Sequence, residues 1–191
     1  MTSPIRALLD ANVLWSNHLR NLLLQMAQND LFEAKWSAMI EQEWLRNMTP
    51  RTRRRIESGT LPLIRKWFSD ALVTGFGADR EIGRTDAGDR HVASAAAAIA
   101  PSVLVTNNLR HFDVEALEAL GVTVQAADAF LSALFDAQPD VVEAATRDAA
   151  ANLTKSCPSW DDYLDTLANR CKVPRFVQRL RSPKPVFEDH S

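Results

Sequence analysis

Isolated carboxylates and amides stand where this chain turns from apolar runs to polar residues. Asp10 closes the run Ile5-Arg6-Ala7-Leu8-Leu9. Asp86 and Asp89 open the alanine-rich run that reaches Ala100. Asn107 and Asn108 follow Ser102-Val103-Leu104-Val105-Thr106. In an open parallel sheet, strand ends and helix starts share one rim, and ligands bind there. Carboxylates gathered on such a rim repel one another unless they are protonated or hold a cation. A hard cation such as Mg²⁺ or Mn²⁺ resolves that repulsion. The chemistry indicated is metal-assisted attack on a phosphate ester.

The elements that must position these groups follow from apolar spacing. Strands are expected at Ile5 to Leu9, Phe32 to Trp36, Ala71 to Thr74, Ser102 to Thr106 and Val122 to Gln125. Between them, Leu19, Leu22, Leu23 and Met26 recur at helical spacing from Ser16 to Gln28. Ser37 is expected to cap a helix carrying Met39, Ile40, Glu43, Trp44 and Met48. Thr49-Pro50 starts an Arg-rich helix expected to stop near Gly59, and a further helix runs from Pro62 to Asp70. Asp86 is expected to cap a helix over Ala87 to Ala100, and Asp113 one that ends before Gly121. Strands alternating with helices give an α/β fold: a three-layer α/β/α sandwich on a parallel sheet of about five strands. Beyond Asp128 the strand signal stops. Helices are expected at Ala129 to Asp136, Pro139 to Leu153, Trp160 to Arg170 and Val173 to Leu180, then an extended Ser182-Pro-Lys-Pro. The expected division is a sheet domain, 1–128, and a helical appendage, 129–191.

With 191 residues and 46% hydrophobic content, a normal core is within reach, and a net charge of -2 excludes a basic nucleic-acid coat. Charge is nevertheless uneven. Arg46, Arg51, Arg53, Arg54, Arg55, Arg65 and Lys66 meet only Glu57 in their stretch. A second cluster holds Arg170, Lys172, Arg175, Arg179, Arg181 and Lys184. Both read either as solvated helix faces or as phosphate-tracking patches. Arg175, Arg179 and Arg181 have no acid near them in sequence, which favours RNA contact for that cluster. Cys157 and Cys171, too far apart for a CxxC pair and with no His cluster, argue against zinc and for a reducing, cytoplasmic setting. No apolar run approaches the length of a membrane span.

Four segments carry a family resemblance. Leu8-Leu9-Asp10-Ala11-Asn12-Val13-Leu14 resembles the opening motif of PIN-domain nucleases. Trp36-Ser37 with Ile40, Glu43 and Trp44 resembles their second motif. Asp86-Ala-Gly-Asp89-Arg90-His91-Val92-Ala93 resembles the third, and Val105-Thr106-Asn107-Asn108 with His111-Phe112 the fourth. They occur in order over roughly residues 4 to 125. The likeness is to VapC-type toxins of toxin–antitoxin pairs, in a branch with an added C-terminal helical domain. It implies a PIN-like sandwich and a Mg²⁺- or Mn²⁺-dependent endoribonuclease that leaves a 5′-phosphate and a 3′-hydroxyl. Carried over by position, Asp10, Glu43 and Asp89 are the core acids and Asp86 a nearby fourth carboxylate. The fourth motif departs from the commonest pattern: Asn108 stands where many members have an acid. The implied substrates are tRNA or rRNA loops, the implied partner is a small VapB-like antitoxin, and a homodimer is typical.

The residues themselves support these roles. Asp10 and Asp89 would bind the metal most directly, and Glu43 would complete the shell or orient water. Asn12 and Thr106 would hold the Asp10 carboxylate and a metal-bound water. Arg90 would bind a phosphate or pair with a site carboxylate; Arg54, Arg175, Arg179 and Arg181 would grip RNA. Each acid alone has a plainer reading as a turn, cap or surface residue. Of the histidines, His91 is expected to pack beside its helix, and His111 to meet loop backbone or phosphate. The tryptophans are core or interface by default, with one able to stack an unpaired base. Alternatives are a housekeeping PIN nuclease or a non-catalytic binding module. An aspartyl-nucleophile phosphatase would need an acid where Asn12 stands, and no GxGxxG supports a dinucleotide enzyme.

Overall fold

The computed structural model describes residues 4–182. Its centre is a run of apolar residues with no polar alternation. Ala7, Leu8 and Leu9 are all fully buried, as a strand covered on both faces requires. They form β1 (Arg6–Leu9), flanked by β2 (Glu33–Ser37) and β4 (Ser102–Val105), with β3 (Leu72–Val73) and β5 (Val122–Gln125) at the edges. All pairings are parallel, in the order β3-β2-β1-β4-β5. The fold is therefore α/β and PIN-like, with its five strands close to the expected positions. The order reverses between β1 and β4, so the crevice above those two strand ends is the switch point where such sheets bind ligands.

Short-range capping sets most helix starts. The Ser16 hydroxyl accepts from Leu19 N at the head of α2 (Asn17–Gln28), after the single turn α1 (Ala11–Leu14). Ser37 does the same for α3 (Ala38–Arg46), accepting from Ile40 N at 3.2 Å. Thr49 caps α4 (Pro50–Arg55). Gly59 does not end that helix. The backbone passes through a wider turn over Ile56–Thr60 into α5 (Leu61–Trp67). Ile56 and Leu61, five apart, are both buried, and one i→i+5 turn keeps them on the same face.

Asp86 also differs from expectation. Its side chain makes no cap hydrogen bond; a 3₁₀ turn over Ala87–Asp89 intervenes, and α6 begins only at Arg90 (Arg90–Ala98). Asp86 is instead anchored by its backbone, through its N–H to His111 O at 2.9 Å. That leaves its carboxylate exposed at the rim. Asp113 caps α7 (Val114–Glu118) as expected, and also accepts from Arg84 N at 2.9 Å. The Arg84 N–H, then the Ala116 N–H, hold its carboxyl below the usual range. Right-handed crossovers put α2 on one face of the sheet and α6 and α7 on the other.

Four helices follow: α8 (Ala127–Ala137), α9 (Pro139–Ala151), α10 (Trp160–Asn169) and α11 (Pro174–Arg181). They join the same buried core. Phe130 packs edge-on against Phe32 at 5.0 Å, Asn21 donates to Ala149 O at 2.8 Å, and Tyr163 and Phe176 are fully buried. Both cysteines are free and buried. The extended tail expected after Ser182, with Lys184, lies outside the described residues. Among those residues, no helix is long and apolar enough to cross a membrane.

Candidate metal centre

Asp10 is the first residue past β1, and its N–H extends the ladder to Val105 O at 3.1 Å. Thr106, the first residue past β4, is therefore its neighbour. Both are buried, Asp10 at 2% exposure. Thr106 Oγ1 donates to Asp10 Oδ2 at 2.7 Å and accepts from Asn12 Nδ2 at 2.9 Å and Asn108 N at 3.1 Å. Its one proton and both lone pairs are used. Asn12 Nδ2 also donates to Asp10 Oδ2, while Asn12 Oδ1 accepts from Asn107 N at 2.9 Å. Rotating that amide by half a turn would set oxygen against carboxylate and NH₂ against N–H, so its orientation is fixed. The Asp10 carboxylate is thus held by hydrogen bonds from both Asn12 and Thr106.

Burial pushes the Asp10 carboxyl up to about 6, against the opposing Thr106 hydrogen bond, and the charges of Glu43 and Asp89 push the same way. Glu43 comes from the middle of α3. His91, on the first turn of α6, sets Nε2 3.4 Å from Glu43 Oε2. That imidazole, and behind it Arg46, holds the Glu43 carboxyl below its ordinary value despite partial burial. Asp89 faces His111, whose Nδ1 lies 3.2 Å from Asp89 Oδ2 and 3.7 Å from Asp86 Oδ2. Ligand atoms of Asp86, Asp89 and His111 all lie within 4.8 Å of one another. The expected acids thus share one rim.

The imidazole partners were missed by sequence reasoning. His91 does pack beside its helix, but against Glu43. His111 meets carboxylates rather than loop backbone. The available signal was position: each follows a motif acid or strand end by a few residues.

The donor set fits a divalent ion, as the surroundings of Asp10 and the Asp86–Asp89–His111 cluster indicate. A buried carboxyl facing two further carboxylates is held toward its neutral form, and a cation reverses that preference. The donors are oxygens with one imidazole and no thiolate, which suits Mg²⁺ or Mn²⁺.

The basic residues divide. Arg54 and Arg175 are exposed. Arg90 pairs with Glu81 at 2.8 Å rather than with a site acid. The expectation that Arg179 and Arg181 lack acids fails in three dimensions. Arg179 makes a two-pronged pair with Asp136 at 2.7 and 2.9 Å, and Arg181 bonds Asp165 at 2.7 Å. Ala127 N, at the head of α8, reaches Asn107 Oδ1 at the rim. Asp136 is nine residues farther along, about 13 Å of helix rise away, so Arg179 is not at the site.

Residues 127–182 match the family model described as VapC50 C-terminal domain. No curated protein and no solved structure matches the chain. A C-terminal domain of the VapC type thus follows a PIN-like parallel sheet whose rim gathers the four motif segments, an arrangement that supports a VapC-type PIN protein with a C-terminal domain.

Proposed function

We propose that this chain is a divalent-metal-dependent endoribonuclease, the toxin of a VapBC-type pair, acting on loops of structured RNA such as tRNA or rRNA. One observation carries the reading: Asp10 is buried at the sheet's switch point, tied by Asn12 and Thr106, with Glu43 and Asp89 close enough to raise its proton affinity. Such a carboxylate is costly to ionise without a cation and well placed to hold one. Bound Mg²⁺ or Mn²⁺ supplies charge neutralisation at phosphorus and a more acidic water. Asp10 and Asp89 would hold the ion. Glu43, kept ionised by His91, orients the attacking water and accepts its proton. Asp86, exposed beside Asp89, would hold the ion through water, and Asn108 would add a neutral amide at the same rim. The catalytic set is Asp10, Glu43 and Asp89. Partners are RNA, a small VapB-like antitoxin and a second copy of the chain; the setting is the cytoplasm.

The test is cleavage of total bacterial RNA by the purified chain in Mn²⁺, in Mg²⁺ and in EDTA. Discrete products bearing 5′-phosphates, seen only with metal, are expected. Metal-independent cleavage with unchanged products would sink the reading.

Thr106→Val tests the support of Asp10. The substitution keeps the shape but removes one donor and two acceptor contacts. Mn²⁺ affinity is expected to fall about 10- to 100-fold, read by calorimetric titration, with the fold retained. Unchanged affinity would mean that Thr106 does not position the ligand.

A further inference from the structure

The turn between α10 and α11 is docked beside the metal rim. Cys171 Sγ lies 3.3 Å from Ser16 Oγ, immediately past α1. At its other end, Arg175 N and Phe176 N both donate to Asp128, at the head of α8, at 3.3 and 2.9 Å. The turn thus bridges two elements that leave the rim, and it presents Arg170, Lys172 and Arg175 exposed. Among the described residues, none of these three side chains forms an ion pair within 4 Å. Lys172 adopts φ 59°, a conformation that favours glycine. A long cationic side chain stands there instead, a local rule broken in the way functional positions break them.

Trp15 and Lys172 are each one residue along the chain from the touching Ser16–Cys171 pair. Trp15 is 56% exposed and Trp67, at the end of α5, 69% exposed, whereas Trp36 and Trp44 are buried. Trp15 ends the short helix that begins after Asp10, about 8 Å of rise from the metal-binding carboxylate. An exposed aromatic residue and exposed cations brought together by the Ser16–Cys171 contact have the composition of a single-strand binding platform: an aromatic ring stacks a base and cations follow the backbone phosphates.

We infer that Trp15, Lys172 and Arg175, joined where the C-terminal helices meet the first helical turn, form a binding subsite for single-stranded RNA beside the metal centre. Its substrate class rests on the ribonuclease reading. In this arrangement the C-terminal helices carry positive charge to a rim whose own groups are acidic.

The test uses the full chain in EDTA with a short, labelled, mixed-sequence single-stranded RNA, and the same RNA annealed to its complement. Trp15→Ala is expected to weaken single-strand binding about tenfold, with Trp15→Phe recovering most of it and the duplex little affected. Lys172→Gln and Arg175→Gln are each expected to flatten the plot of log Kd against log salt by about 0.7. Arg179→Gln, whose side chain is already paired, leaves the slope in place. Wild-type affinity in Trp15→Ala, an unchanged slope in both cation variants, or equal losses on duplex and single strand would overturn the subsite. The exposed position of Trp15 makes misfolding a minor concern, and melting curves of each variant check it. Cleavage in Mn²⁺ separates the two readings. Metal-dependent cleavage with kcat/KM indifferent to all three residues ends the subsite alone. Trp15-dependent binding without cleavage in any metal ends the nuclease alone, and absence of wild-type binding ends both.

Discussion

Asp10→Asn is expected to abolish RNA cleavage, by about 10²–10³-fold or more, while making the metal-free protein more stable. The two effects share one cause. Burial holds the Asp10 carboxyl at about 6, above its ordinary 3.8. A carboxyl whose folded value is raised binds more protons in the folded chain between those two values. Metal-free stability therefore grows as pH falls through 6 toward 4 and is lost as pH rises through 6. Above pH 7 the ionised group costs on the order of 2–3 kcal/mol. Asparagine has nearly the same shape and no charge, so it removes most of that cost. In EDTA at pH 8 the variant should melt about 4–8 °C higher than wild type, and near pH 4 the difference should close. Saturating Mn²⁺ reverses the order, because binding stabilises only the chain that holds the ion. Equal melting temperatures at pH 8 in EDTA would show that Asp10 is not strained by its site.

Gly83→Ala is expected to cause the largest stability loss of any single methyl addition in the 75–89 segment. Gly83 has φ 52°, and a Cβ there would fall 2.6 Å from Asp113 Cγ and 2.8 Å from Ala116 Cβ. The left-handed conformation and the overlap together cost about 2–4 kcal/mol, a fall in Tm of about 5–15 °C. Displacing the Asp113 carboxylate also frees Arg84 N and Ala116 N, the contacts that tie this loop to α7. Asp86 and Asp89 ride on that loop, so metal affinity should fall with stability. Gly88 is the internal control. It sits between the two acids, and a Cβ there meets nothing within 4 Å. Gly88→Ala should melt like wild type. A loss at Gly88 matching that at Gly83 would show that the loop is sensitive to any added methyl rather than anchored through Asp113.

Much of this arrangement was legible in the sequence because its causes are local. Leu8-Leu9-Asp10 and Leu104-Val105-Thr106 are apolar runs ending in polar residues, and any buried parallel strand ends that way. Caps at Ser16, Ser37, Thr49, Asp113 and Ser159 act over three residues, so the helices they open are set by neighbours in the chain. Where tertiary contacts compete, local reading fails. Asp86 has the composition of a cap, yet its backbone is claimed by His111 O, and its carboxylate faces the rim. Gly59 has the composition of a stop, yet burial of Ile56 and Leu61 carries the helix through it.

The site divides along the same line. The resemblance to PIN-domain nucleases, read along the sequence, pointed to Asp10, Glu43 and Asp89, with Asn12 and Thr106 in support. It passed over Glu41, two residues and about 200° of helix rotation from Glu43. Glu41 is buried on the other face of α3, accepting from Trp36 Nε1 at 2.9 Å and pairing with Arg65. Which histidine meets which carboxylate, which arginines are spent on Asp136 and Asp165, and that Cys171 arrives beside Ser16 were decided only by the folded chain. Those pairings join residues up to 155 positions apart. Composition and periodicity act over one or two turns, whereas the meeting of such distant groups depends on how helices pack on the sheet.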